Sequence, residues 1–299
     1  MRNRVLNFLL LWVLSVYVVS AQDNVITFYI GTGSVTLLSE GQRKGGTNVL
    51  VGATDEMIKK AIPDGAYPSA TNVFLVVTEK YTALIDAGLG RKTVENLELS
   101  GKKASDIDAI FITHFHGDHI GSLLLNNEKV YPKATLFISK PEYDYYMNDA
   151  MMNTLPENRR GAFTTARNIF KAYTLEIFNP GEIDNAKELL PGLRGVAAFG
   201  HTPGHVGFMF DSEDANLFFW GDLTHAMAIQ MPYPEVAMTY DTDTAKAIAC
   251  RLKLLTFLSN NNIRVAGAHI EYPGIGYIKK NALSGYDFKL LCSCEGKLP

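Results

Sequence analysis

Apolar positions in the first third of the chain come in short runs. Val25–Ile30 and Ser34–Leu38 flank Gly31-Thr32-Gly33, and Asn72–Val77 and Tyr81–Asp86 flank Thr78-Glu79-Lys80. Each arrangement predicts a hairpin. Residues 40–70 mix Gly41, Gly45 and Gly46 with one short helix candidate, Asp55–Ala61, and otherwise read as loops. Beyond Gly88 helix-like segments alternate with short apolar runs. Helices are expected at Thr93–Leu99, Pro141–Met152 and Asn158–Tyr173, with a short one through Leu123–Leu125. The clearest is Thr242–Leu258, where Ala247, Ile248, Leu252, Leu255 and Leu258 recur at helical spacing. Asp241, Thr242 and Asp243 offer its N-cap, and Asn260–Asn262 offer its stop. Ala109–Thr113, Val196–Phe199, Leu217–Trp220 and Arg264–Ala268 read as buried strands.

The N-terminus follows a different pattern. Arg2 and Arg4 precede a mostly apolar stretch from Leu6 to Val19, and Val19-Ser20-Ala21 presents small residues for cleavage before Gln22. Residues 1–21 therefore read as a secretory signal peptide. The apolar run is shorter than the roughly 20 residues of a membrane span, and no cysteine near the cleavage point offers a lipid anchor. The expectation is an exported protein, periplasmic or secreted, with no stable membrane anchor after cleavage. Residues 22–299 then form one domain, since no Pro-rich linker, low-complexity stretch or long charge run divides them.

Composition narrows the class. The 299 residues are 47% hydrophobic and 20% charged, with a formal net charge of -3. This is ordinary globular composition, and the absence of a basic stripe argues against a nucleic-acid partner. Three cysteines, Cys250, Cys292 and Cys294, are too few and odd in number for a disulfide scaffold. Cys292-Ser293-Cys294 reads as an ordinary tail, a strained bridge or a weak metal site. Cys250 is expected to pack within its helix.

The chemistry collects at strand ends. Ala109–Thr113 runs into His114-Phe115-His116-Gly117-Asp118-His119, Val196–Phe199 into Gly200-His201, Leu217–Trp220 into Gly221-Asp222, and Arg264–Ala268 into His269. Loops at strand ends are where a rigid scaffold displays functional groups. Imidazole and carboxylate suit Zn²⁺, and a catalytic site keeps one position open. Seven such donors, with one carboxylate shared, fill two sites and leave room for a bridging water. Three further polar residues stand close in sequence. Asp86 is expected to orient a ligand histidine, most naturally His116. His205, after Thr202-Pro203-Gly204, is expected to be a structural hydrogen-bonding residue. His225 reads as either pocket-lining or packed. Tyr143, Tyr145, Tyr146, Phe163 and Phe170 form either a pocket wall or plain core.

Thr113-His114-Phe115-His116-Gly117-Asp118-His119 resembles the T-H-x-H-x-D-H motif of the metallo-β-lactamase superfamily. Gly200-His201, Gly221-Asp222 and Ala268-His269 follow in that family's order. The resemblance implies an α/β fold, the metallo-β-lactamase αβ/βα four-layer sandwich, with two metal ions, Zn(2+) first among them. His114, His116 and His201 would bind one ion, and Asp118, His119 and His269 the other. Asp222 would bridge them. An antibiotic-hydrolysing member would carry cysteine in place of Asp222, and a flavodiiron protein glutamate in place of His114. The longer match is to methyl parathion hydrolase-like enzymes and quorum-quenching lactonases, through Leu84-Ile85-Asp86-Ala87-Gly88, Trp220-Gly221-Asp222-Leu223-Thr224-His225 and His269-Ile270-Glu271-Tyr272-Pro273-Gly274. Homoserine-lactone lactonases usually have tyrosine three residues after the bridging aspartate; this chain has His225. The implied activity is hydrolysis of an apolar ester or lactone by a hydroxide held between the ions, with a weaker phosphotriesterase activity. Asp118 would steer the nucleophile and carry its proton, and His225 would donate to a polarised oxygen. Two other classes remain: a mononuclear iron oxidoreductase resembling persulfide dioxygenases, and an inactive exported binding protein. The oligomeric state is open.

Overall fold

The computed structural model describes residues 24–291 except Leu283. The leader expected at 1–21 and the Cys292-Ser293-Cys294 tail lie outside the described residues. Two seven-stranded sheets face each other. The first runs, in spatial order, Val25–Ile30, Gly33–Gly46, Ala66–Val77, Thr82–Ile85, Ala109–Phe111, Thr135–Ser139 and Thr174–Phe178. Its N-terminal strands pair antiparallel and its last four pair parallel. The second runs Glu188–Leu190, Leu193–Ala197, Val206–Ser212, Ala215–Phe219, Arg264–Ala266, Ile275–Lys280 and Tyr286–Leu290. It is antiparallel except where Ala215–Phe219 pairs with Arg264–Ala266.

Alternation along the strands divides the interior into layers. Ile85, Phe111 and Phe137 of the first sheet meet Phe208, Phe210 and Phe219 of the second in a buried core between the sheets. The opposite face of the first sheet packs Leu84, Ile110 and Leu136 under the helices Thr93–Leu99 and Glu157–Ala172. The outer face of the second packs Met209, Phe218 and Val265 under the helix Thr244–Asn260. This is the expected αβ/βα four-layer sandwich. Tyr146, Phe163 and Phe170 are buried in the helical layer, with Tyr143 and Tyr145 packed against it, so the aromatic group is core. Cys250 is partly buried against the other helical layer.

Three segments differ from the sequence reading. Residues 40–70 are not mainly loop, because Gly33–Gly46 and Ala66–Val77 continue as one long hairpin through a bulge between Ser39 and Gly41. Gly45 is not a breaker there. It faces Tyr67 across the hairpin, where a Cβ would stand 2.2 Å from the ring. Leu124–Leu125 pairs with Glu128–Lys129 rather than forming a helix, because Asn126 and Asn127 both adopt positive φ and turn the chain. The expected Pro141–Met152 helix is broken at Asn148, whose side chain caps a new start at Asp149 by accepting from Met151 N at 3.0 Å.

The Thr244–Asn260 helix lies a little differently from its apolar pattern. Asp243 caps it, accepting from Lys246 N at 3.0 Å. Arg251 is buried, while Leu252 is 39% exposed. Arg251 donates to Leu223 O, Pro234 O and Val236 O at 2.7–2.9 Å. It thus occupies an inward position because carbonyls of the Leu223–Val236 segment need donors. Leu255→Ala should therefore lower unfolding free energy by about 2–5 kcal/mol, and Leu252→Ala should change it by less than about 0.5 kcal/mol. Denaturant titration of the two variants checks this; equal losses would contradict the helix's orientation.

Candidate metal centre

Four chain segments deliver polar groups to one edge of the sandwich. The Ala109–Phe111 strand leads into His114 and His116, then a short helix, Gly117–Ile120, carrying Asp118 and His119. Beyond Leu193–Ala197 comes His201, beyond Ala215–Phe219 Asp222, and beyond Arg264–Ala266 His269. His114, His116, His201 and Asp222 offer atoms within 4.8 Å of one another, as do Asp118, His119 and His269. All seven residues singled out in the sequence are brought together.

The first group is a triangle of ring nitrogens. His114 Nε2 lies 2.9 Å from His116 Nδ1 and 3.2 Å from His201 Nε2, and the latter two are 3.0 Å apart. At His201 and His114 the opposite nitrogen is already committed. His201 Nδ1 donates to Asp241 Oδ1 at 2.8 Å. His114 Nδ1 donates to Thr113 Oγ1 at 3.1 Å, since that hydroxyl itself donates to Asp86. Three ring nitrogens therefore converge on one point. Donors about 2.0–2.1 Å from a tetrahedral zinc stand about 3.3 Å apart, close to the spacing seen here.

Asp222 lies between two sets of nitrogens. Its Oδ2 is 3.2 Å from His201 Nε2 and 3.6 Å from His114 Nε2. Its Oδ1 is 3.1 Å from both His119 Nε2 and His269 Nε2, and Oδ2 also lies 3.2 Å from His269 Nε2. Asp118 adds oxygens 3.8 Å from His119 Nε2 and 3.6 Å from His269 Nε2. His119 Nε2 and Asp222 Oδ1 are buried yet have no hydrogen-bond partner. Buried polar atoms are rarely left so. A cation on each side of Asp222 would satisfy both, and the all-N/O donor set fits two divalent ions.

The polar groups behind the donors differ in part from expectation. Asp86 does not orient His116. Its Oδ2 accepts from His119 Nδ1 at 2.7 Å, and Oδ1 accepts from Thr113 N at 2.8 Å. Asp86 adopts φ 63, which turns its carboxylate under the His119 ring. His269 Nδ1 donates to Ala70 O at 2.8 Å. Two groups escaped the sequence reading. Asp241, expected only as a helix cap, stands behind His201; its Oδ2 accepts from Met238 N at 2.9 Å, and Arg251 lies 4.0 Å away. Arg43, in the segment expected as loops, places Nη2 3.6 Å from Asp118 Oδ2. Nothing in the spacing of either residue marks it, because both reach the site through tertiary contacts.

The electrostatics follow from burial. Burial and the neighbouring His201 push His116 down to about 3. Burial would also lower His201, but its bonds to Asp222 and Asp241 push it up to about 9. Burial would raise Asp222, yet the surrounding imidazoles hold it well below the carboxylate range. His205 is pushed down to about 3 by burial and by His201. It sits behind the donors: Nδ1 donates to Ala198 O at 2.8 Å, and Nε2 accepts from Asp222 N at 2.9 Å. His225 is pushed down to about 4, chiefly by burial. Its Nε2 donates to Asp222 Oδ2 at 2.7 Å, and its ring stacks on His269 with centroids 5.0 Å apart. The His225 Nε2–H is thus directed to the central carboxylate.

A model of the metallo-beta-lactamase superfamily matches residues 66–269. AidC, a dizinc quorum-quenching lactonase solved with the product N-hexanoyl-L-homoserine, superposes with a TM-score of 0.81 at 27% identity, covering 90% of this chain and 98% of that one. Exodeoxyribonuclease WalJ of Streptococcus pneumoniae is 47% identical over 53 residues, 17% of this chain and 20% of that protein. Anti-Pycsar protein Apyc1 of Paenibacillus is 27% identical over 157 residues, 51% of this chain and 60% of that protein. The chain thus spans between a fifth and three fifths of the curated relatives it matches.

Because His205 must accept from Asp222 N, it should remain a neutral Nδ1–H tautomer as pH falls from 8 to 5. Its lowered pKa keeps the proton off Nε2 until far more acidic conditions. Two-bond ¹⁵N–¹H correlation spectra of the imidazoles in the native protein test this. An Nε2–H signal, or protonation above pH 5, would contradict the geometry.

Proposed function

The chain belongs to the metallo-β-lactamase superfamily, and on that premise we propose that it is a hydrolase using two metal ions, zinc foremost, on an apolar lactone or ester. One observation carries this reading: the Asp222 carboxylate lies within 3.1–3.2 Å of His201 Nε2 in the first group and of His119 Nε2 and His269 Nε2 in the second. The superposition on a dizinc lactonase over nearly the whole of both chains supports the same substrate class. Phosphotriester hydrolysis is a weaker accompanying activity on this reading. With the expected leader, the enzyme works outside the cytoplasm.

Two divalent cations would supply Lewis acidity toward the scissile group and a nucleophile from water at neutral pH. The side chains do the rest. His114, His116 and His201 would hold one cation, Asp118, His119 and His269 the other, and Asp222 would join both. Asp118 is the most accessible of the two carboxylates, at 23% side-chain exposure against 3% for Asp222. Burial would raise its pKa, but His119, His269 and Arg43 outweigh that and hold it low. It is therefore ionised at neutral pH and able to accept a proton from the attacking water and pass it to the leaving oxygen. Neutral His225 holds Asp222 Oδ2 by its Nε2–H and packs its ring 4.9 Å from that of Tyr240. Met147 and Met151 are exposed on the two helices after Ser139 and offer apolar surface to an acyl tail.

The test is a hydrolysis screen on metal-loaded protein spanning acyl-homoserine and aliphatic lactones, aryl esters and phosphotriesters. Lactones or esters should turn over fastest, and His225→Ala should lower kcat more than it raises KM. Efficient turnover of β-lactams or glutathione thioesters with no lactone hydrolysis would overturn the assignment.

A further inference from the structure

A buried carboxylate outside the donor set ties two of the donor-bearing segments together. Glu142 lies in the first turn of the Lys140–Met147 helix and is 1% exposed. Its Oε1 accepts from Phe115 N at 3.0 Å. Its Oε2 accepts from Thr202 Oγ1 at 2.7 Å and from Gly204 N at 2.9 Å. Ser139, the cap of the same helix, donates to Gly204 O at 2.5 Å. A Cβ on Gly204 would stand 2.0 Å from Glu142 N, so helix start and Pro203-Gly204 turn meet at a distance that requires glycine.

The placement is selective. Phe115 lies between His114 and His116, and Thr202 follows His201. The three imidazoles of the first group thus ride on two segments joined through one side chain. His119 and His269 are anchored elsewhere, on Asp86 and on Ala70 O. A carboxylate suits this junction because it only accepts, and every group facing it donates. Glutamine would turn an N–H toward one set of donors, and an apolar residue would leave buried N–H groups unpaired. Burying an ion is costly, and the three hydrogen bonds to this carboxylate offset that cost.

We propose that Glu142 is a positioning residue for the first cation site, setting the separation of the His114-Phe115-His116 and His201-Thr202 segments without touching substrate. This rests on the two-cation reading above. Glu142→Gln keeps the volume but breaks one of the two ties. Crystals of wild type and variant, equilibrated at graded free zinc, can be read at the zinc edge by anomalous diffraction, which reports occupancy at each site separately. The zinc concentration for half-occupancy should rise about 10–100-fold at the His114/His116/His201 site and stay unchanged at the Asp118/His119/His269 site. Equal shifts at both sites, as a general loosening of the fold would give, or no shift at either, would overturn the proposal. If Glu142→Gln does not fold, Thr202→Val removes one donor and should give a smaller shift confined to the first site; no shift there overturns the proposal. Wild type that fails to fill both sites defeats the two-cation reading and this proposal together. Wild type that fills both beside unshifted variants defeats this proposal alone.

Discussion

Polar side chains crowded around one buried point need charge balance, and this edge of the protein gathers them from four chain segments. Three ring nitrogens lie 2.9–3.2 Å apart on one side of Asp222, and two more lie 3.1 Å from its other oxygen. The outer nitrogens of His114, His201, His119 and His269 are pinned by Thr113, Asp241, Asp86 and Ala70, so those four rings cannot turn to relieve the crowding. Such an array is costly unless positive charge occupies its centre. The surrounding scaffold serves to hold it in place.

That scaffold is rigid where the donors need it. Parallel strand ends present the His114–His119 loop beside Asp86, and Thr113 N returns a hydrogen bond to the same carboxylate that holds His119. On the second sheet, Arg251 binds carbonyls of the Leu223–Val236 segment next to Asp222 and approaches Asp241 behind His201. His205 fixes the backbone at Asp222 itself. His114, His119, His201, Asp222 and His269 therefore inherit their positions from buried polar groups behind them.

The donors were legible in the sequence because histidine and aspartate followed apolar runs at four places in a recognisable order. All seven histidines of the chain lie in or against this centre. The four-layer fold was legible through the same resemblance, and the strand Val25–Ile30 and the helices Asp55–Ala61 and Thr93–Leu99 through local pattern. What periodicity could not show was partnership at long range. Asp86 takes His119 rather than His116, and Asp241, Arg251 and Glu142 acquire their roles only when distant segments pack. Gly45 looked like a break in a strand because the facing Tyr67, which fills the space a side chain would take, lies 22 residues further on.

The central claim is that this edge is built around two cations. Elemental analysis of protein purified from its native host without chelator tests it most directly. The account predicts close to two equivalents of divalent metal per chain, zinc foremost. A reproducible single equivalent of iron, or protein that holds no metal while keeping full activity, would contradict it.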